Sequence, residues 1–254
     1  MYIYRMQALS IIIVVKNEAH NIARCIAPLL QLSNDIIVAD NGSEDGTQAI
    51  AAQAGAKVMT ITWKGYSATK NEANSFAAND WILSLDADEV LNEELVKDIQ
   101  RVCSSPLSTE TVFAIQRKLV YEGRLLKHGA VGKEFRIRLF NRNNAEWNQQ
   151  VVHEKLVFAQ TPKVHKLKGF AWHYSYKDEA DHKQRLQQYA ILAAKQMKAR
   201  GKKRNLFKQS TSPLFGFFKN YICRLGFMDG RAGLKFALNE MNYTYQKYAL
   251  LSKI

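Results

Sequence analysis

The sequence has few cysteines, few prolines and no long apolar run, and each shortage closes a class of protein. Its three cysteines, Cys25, Cys103 and Cys223, are odd in number and share no CxxC or metal-type spacing. That argues against a disulfide framework or a zinc site, and for small buried apolar residues in a reducing compartment, with the cytoplasm as the expected setting. Only four prolines among 254 residues, with 47% hydrophobic residues, exclude a disordered or low-complexity chain. No run approaches the roughly 20 apolar residues needed to cross a bilayer, so no membrane span is expected. The run at residues 11–15 after Arg5 is too short for a signal peptide, lacks a small-x-small site and is ended by Lys16, Asn17 and Glu18.

The chain is long enough for one α/β domain with an appended segment. Its net charge of +13 is uneven: residues 1–100 carry 7 Lys+Arg and 13 Asp+Glu, and residues 101–254 carry 29 and 10. No nucleic-acid-binding module with interleaved aromatics accompanies the basic part, so no nucleic-acid partner is expected. An anionic membrane surface fits that charge better.

Residues 9–15 form a β-branched run without a polar face, the pattern of a central strand covered on both sides. Ile22, Cys25, Ile26, Leu29 and Leu30 then share one stripe of a helix over residues 20–30. The alternation repeats: strands at 36–39, 57–62 and 81–85, helices at 47–54 and 67–78, with turn chemistry at Asn41, Gly42 and Ser43. Such βαβ units imply a mostly parallel sheet with right-handed crossovers. Ligands then bind past the carboxyl ends of the strands. A helix follows Asn92, with Glu93 and Glu94 in its first turn and Arg101 near its end. Strands at 112–115 and 135–140 suggest a second, mixed region, with Arg136 and Arg138 on one face. From Asp181 the chain reads as helices: Leu186, Tyr189, Ala190, Ala193 and Met197 give one stripe, and Ser212 and Pro213 read as the N-cap and first residue of another. That last helix, with Leu214, Phe215, Phe217, Phe218, Tyr221, Ile222 and Leu225, is richer in aromatics than a solvated helix needs. It reads as a lid over an acceptor site and a membrane contact, or else as ordinary packing. The expected division is a catalytic domain over residues 1–178, with a nucleotide-binding half 1–103 and an acceptor-side half 104–178, then a helical segment 179–254.

Asp86 and Asp88 lie two apart at the end of an apolar strand, so both carboxylates can point to one side. Mg²⁺ or Mn²⁺ takes oxygen ligands from one or two carboxylates plus substrate phosphates, so this pair could anchor a nucleotide diphosphate. A solvated turn is the plain alternative. Asp40 could accept from a base or ribose, or serve an Asx turn. Asn17 and Glu18 could face the same crevice or merely cap the first helix. Lys70 and Asn71 could touch base or phosphate, or be surface. His153 and Glu154 supply a candidate general base for an acceptor hydroxyl. His173, between Trp172 and Tyr174, could complete a metal's coordination, or sit in an aromatic cluster.

Together, residues 13–18, 40–47, 70–73 and 83–89 closely resemble family 2 glycosyltransferases. The stretches at 152–155, 173–176 and 225–233 look like the branch of bacterial lipopolysaccharide-core β-1,4-glucosyltransferases. The resemblance implies an α/β fold of the GT-A type with a C-terminal helical extension, a UDP-sugar donor, a divalent metal (Mg or Mn) and inversion at the anomeric carbon. The acceptor it implies is a lipid-linked core oligosaccharide, reached from the cytoplasmic face of the inner membrane. It places Asp40 at the uracil, Asp86 on the ribose side, Asp88 on the metal bridging the diphosphate and Glu154 at the base position. Val15, Asn17, Glu18, Lys70 and Ala87 fall in the nucleotide-sugar site, with His153 beside the base and His173 at the metal. After His128 and Gly129 the sequence departs from the branch, with Ala130, Val131, Gly132 and Lys133 where aromatic and acidic residues are expected. Two rivals remain at this stage: a sugar-nucleotide pyrophosphorylase-like enzyme, although Lys16, Asn17 and Glu18 are no Gly-rich phosphate loop, and a non-catalytic basic protein that binds nucleic acid or membrane.

Overall fold

A computed structural model of the chain describes residues 7–132, 134–148 and 155–253. Its first half is the expected alternation: β1 (Leu9–Val15), α1 (Ile22–Leu29), β2 (Asp35–Asp40), α2 (Thr47–Gln53), β3 (Lys57–Thr60), α3 (Tyr66–Ser75) and β4 (Trp81–Asp86). There follow β5 (Glu89–Leu91), α4 (Glu93–Cys103), β6 (Thr111–Tyr121), β7 (Arg124–Leu125), β8 (Glu134–Asn141), β9 (Ala145–Trp147), β10 (Leu156–Phe158), β11 (Lys163–Lys166) and β12 (Ala171–His173). Helices α5 (Glu179–Ala199), α6 (Leu206–Phe217) and α7 (Gly230–Ala249) complete the order, with a π-helical turn at Phe218–Cys223. The fold is therefore the α/β class expected, a mixed sheet with a parallel core and C-terminal helices.

Two compact units divide the chain: residues 1–117 with 135–173, and residues 118–134 with 174–254. The sequence reading ends the catalytic domain at 178 instead, and takes 118–134 as part of it.

In the first unit, β3, β2, β1 and β4 run parallel in that order, and β8, β6, β12 and β5 continue the sheet. The β-branched residues of β1 are buried on both faces because helices cover both. Ile11 and Ile13 pack with Ile22, Cys25, Ile26 and Leu29 of α1, and Ile12 packs with Ile37, Ala73 and Ile82 on the other side. Leu30, placed on the α1 stripe by the sequence, is instead exposed, since the helix ends at Leu29. At the amino ends of the strands a polar pin fixes the stack: Ser10 Oγ donates to Asp35 Oδ2 at 2.5 Å, and Asp35 also accepts from the Ala78 N–H. Helix α4 starts as the sequence predicts, with Asn92 Oδ1 accepting from the Leu95 N–H and two glutamates in the first turn.

In the second unit, three expectations change. Helix α5 buries His182, Leu186, Ala190 and Ala194, while Tyr189 is exposed. A histidine thus joins the buried stripe that the apolar pattern assigned to a tyrosine. Helix α6 starts seven residues before Pro213, at an Asn205 cap accepting from the Lys208 N–H, so Ser212 and Pro213 lie inside it. The Asn cap satisfies an end N–H, whereas an internal proline forfeits only one backbone hydrogen bond when its ring is accommodated. Cys223, read as a buried apolar residue, is exposed; Cys25 and Cys103 are buried as expected. No described helix is long and apolar enough to cross a membrane.

Candidate active site

Register brings the strand ends to one level. Val15 pairs with Asp40 across β1 and β2, and Val14 with Asp86 across β1 and β4, so the carboxyl ends carry these residues side by side. In an open α/β sheet this edge is where ligands bind.

The loop after β1 is tied to the loop after β2. Asn17 adopts a left-handed backbone (φ +56°) that asparagine tolerates. Its N–H donates to Ser43 Oγ at 2.8 Å and its Oδ1 accepts from the Glu44 N–H at 2.9 Å. The Glu18 N–H donates to Thr47 Oγ1 at 2.9 Å, and the Glu18 carboxylate accepts from Asn21 Nδ2. Helix α1 has no side-chain N-cap, but the Glu18 carbonyl accepts from the Asn21 and Ile22 N–H groups, both at 2.9 Å, at its start.

Asp40 does two things at once. Its Oδ1 accepts from the Gly42 and Ser43 N–H groups, both at 2.9 Å, and from Gln48 Nε2 at 2.8 Å, which is the turn chemistry. Its Oδ2 is buried without a hydrogen-bond partner. Burial pushes its carboxyl up, but the hydrogen bonds from Ser43, Gln48 and Gly42 outweigh that and hold it below the ordinary value.

Asp86 stands among three cations. Arg138 Nη2 donates to its Oδ2, Lys70 Nζ lies 3.2 Å from its Oδ1, and Arg117 Nη1 lies 3.8 Å from its Oδ2. Desolvation works the other way, yet Arg138, Lys70 and Arg117 hold the Asp86 carboxyl well below the usual carboxylate range. Glu89, 1% exposed at its side chain, takes Arg138 Nη2 at 2.5 Å and Arg117 Nη1 at 3.1 Å. The Lys70 ammonium also lies 4.6 Å over the Trp147 ring. Asn71, which the sequence offers as a nucleotide contact or plain surface, is half-buried. Its side chain exchanges two hydrogen bonds of 2.9 Å with the Trp147 backbone and pins β9 to α3.

The short β5 and β12 pair antiparallel, His173 opposite Glu89. This sets His173 Nε2 3.2 Å from Asp88 Oδ2. The other oxygen, Asp88 Oδ1, is buried without a hydrogen-bond partner. Such an atom in a native interior calls for an explanation, a bound cation among them. Ala87 between the two aspartates is buried over α1, where Cys25 Sγ reaches the Asp86 carbonyl at 3.8 Å. Burial, with the nearby Glu89, Asp88 and Asp86 carboxylates, pushes the Cys25 thiol up and keeps it protonated. Among the described residues no group of three His, Cys, Asp or Glu is placed to hold a metal ion, and Asp88 with His173 is the pair that offers a carboxylate oxygen beside an imidazole nitrogen.

Val15, Asn17, Glu18, Asp40, Lys70, Asp86, Ala87, Asp88 and His173 therefore lie along one edge of the first unit, while His153 and Glu154 lie outside the described residues. Sequence reasoning missed Glu89, Arg117 and Arg138 as parts of this site. An arginine at alternate positions of an otherwise apolar strand was the available signal for Arg138, because a buried guanidinium requires a carboxylate.

Residues 10–154 match the family model described as glycosyl transferase family 2. An uncharacterized glycosyltransferase of Rickettsia felis is 32% identical over 98% of this chain and 90% of its own length. A lipopolysaccharide core biosynthesis glycosyltransferase of Rhizobium meliloti, LpsC, is 27% identical over 96% of this chain and 94% of its own. Among solved structures, S. aureus TarS aligns at a TM-score of 0.47 and 16% identity, covering 74% of this chain and 40% of that one. With a match over more than half of its length, and a strand-end edge that gathers the aspartates of that match, the chain belongs to glycosyl transferase family 2.

Proposed function

We propose that this glycosyltransferase moves a hexose, glucose by resemblance, from a UDP-sugar to a hydroxyl of a lipid-linked core sugar, with inversion at the anomeric carbon. The observation that carries the reading is the orphaned Asp88 Oδ1, set beside His173 at the strand-end edge. Its donors, a carboxylate oxygen and an imidazole nitrogen, suit Mg²⁺ or Mn²⁺ with the remaining positions left to phosphate oxygens and water. When bound, such an ion supplies Lewis-acid stabilisation of the departing diphosphate.

The chain's own residues do the rest. Asp40 Oδ2 accepts a hydrogen bond from the uracil, while its Oδ1 keeps the turn rigid. Lys70 and Arg138 hold Asp86 ionised and fixed on the ribose side. Glu154 takes the proton from the acceptor hydroxyl as the sugar carbon is attacked in a direct displacement, so no covalent enzyme intermediate forms. His153 is its neighbour. The LpsC relative, named for lipopolysaccharide core biosynthesis, supports a core-sugar acceptor, and the basic second unit supports peripheral contact with the cytoplasmic face of the inner membrane.

A thermal-shift panel of UDP-, GDP-, ADP- and CMP-sugars, each with and without Mn²⁺, tests the donor: a ligand that binds only the native state raises Tm. Stabilisation by UDP-sugar with the metal alone is the expected result; equal shifts across all nucleotides would refute it. Unchanged transfer by a folded Glu154→Gln variant would remove the base assignment.

A further inference from the structure

The second unit leaves large apolar side chains in water on one continuous stretch. Phe207 is 76% exposed, Phe215 67%, Leu214 63% and Phe218 54%, and beyond the π-helical turn Met228 is 59% exposed. These are not scattered. On α6 the buried residues are Gln209 and Pro213, whereas Phe207, Leu214, Phe215 and Phe218, spaced by 7, 8 and 11 residues, share the opposite face at 100° per residue. Helix α6 packs against α7, so its core-facing side is already used and the phenylalanine face is surplus to the fold.

Charge selects the partner. Between Asp181 and Asp229 there is no acidic residue, and that interval holds 11 Lys+Arg. Lys208, Lys219 and Arg224 stand within the apolar stretch, all exposed. A second copy of the same face would set two strongly basic segments against each other. An acidic protein would match the charge, but a continuous apolar stripe edged by lysine and arginine matches a surface that is anionic outside and hydrocarbon beneath.

We propose that α6 and the π-helical turn after it lie in the headgroup plane of an anionic leaflet, with Phe207, Leu214, Phe215 and Phe218 inserted and Lys208, Lys219 and Arg224 at the lipid phosphates. This deepens the peripheral contact proposed above: it names the inserting face and makes the attachment hydrophobic as well as electrostatic.

Co-sedimentation of the full chain with phosphatidylcholine vesicles, with and without phosphatidylglycerol, tests it at low and high salt, alongside UDP binding by the same protein. Wild type should partition onto the anionic vesicles, weakly onto neutral ones, and retain part of its binding in high salt. The exposed double variant Phe207→Ser/Phe215→Ser should partition at least about tenfold more weakly with UDP binding unchanged, and Lys208→Glu/Lys219→Glu should erase the preference for phosphatidylglycerol. Equal wild-type binding to both vesicles, a serine variant that binds like wild type, or a wild-type dimer that the serine variant loses without any vesicle binding would overturn the proposal. Vesicle binding without UDP binding would leave this surface standing and remove the donor reading; UDP binding without vesicle binding would do the reverse.

Discussion

In the unit of residues 1–117 and 135–173, 16 Lys+Arg balance 16 Asp+Glu, whereas the unit of residues 118–134 and 174–254 carries 20 against 7, the whole net charge of the protein. The first hides the β-branched strands between two layers and spends its buried charges on one another, as Arg138 does on Asp86 and Glu89. The second keeps its cations in water and exposes phenylalanines that a self-sufficient core would have taken in. Site and surface chemistry are thus separated along the chain: a neutral unit can concentrate a local field on one ligand, and a basic one can meet an extended anionic surface.

Asp88→Ala is the sharpest way to test the first unit's side of that contrast. Metal-dependent release of UDP from the donor should fall about 1,000-fold, the several kcal/mol expected of a Lewis acid. The Tm should hold, because the variant also removes a buried orphan oxygen. Next, Arg138→Met should leave the buried Glu89 leaning on Arg117, lowering urea-measured stability by up to about 3–5 kcal/mol, the cost of breaking a buried pair. Lys235→Met in the second unit, which breaks a partly exposed pair of bridges to Glu122 and Glu179, should cost far less, because water screens such pairs. Equal losses would erase the distinction between the units.

Acid sharpens it further. Asp86 has its carboxyl lowered in the folded protein, so its contribution is complete above the unfolded value of about 4 and is lost as pH falls from there toward the folded value. Chemical denaturation at descending pH should show a fall in stability below about pH 4 that Asp86→Asn flattens. The smallest effect is expected at the exposed face: Phe215→Ser should change stability by less than about 0.5 kcal/mol, against about 2–5 kcal/mol for Ile13→Ala in the central strand, both read from urea midpoints.

The difference between the units also governs what the sequence made legible. Residues 9–15, 20–30 and 36–39 announce themselves as elements because burial on both faces leaves an apolar run and burial on one helix face leaves a stripe, signals that need no distant partner. Asp40 follows at once, since it ends β2, and Asp86 and Asp88 follow in the same way from the apolar strand β4. In the helical unit the same reasoning misplaced the start of α6 and the side of α5 to which Tyr189 belongs. An apolar residue there has two destinations, the core or a partner outside the chain, and periodicity reads the same for both.

The order of βαβ units, the acidic residues at their carboxyl ends and the basic bias of the later chain were set by local pattern and composition, which act between near neighbours. The His173 approach to Asp88, the closure of Arg117 and Arg138 on Glu89, and the exposure of Phe207 and Phe215 were decided by tertiary structure alone. Three-residue strands such as β5 and β12 carry too little periodicity to show themselves. Their pairing joins positions 80 to 84 residues apart, and only packing determines which of two possible faces a side chain takes.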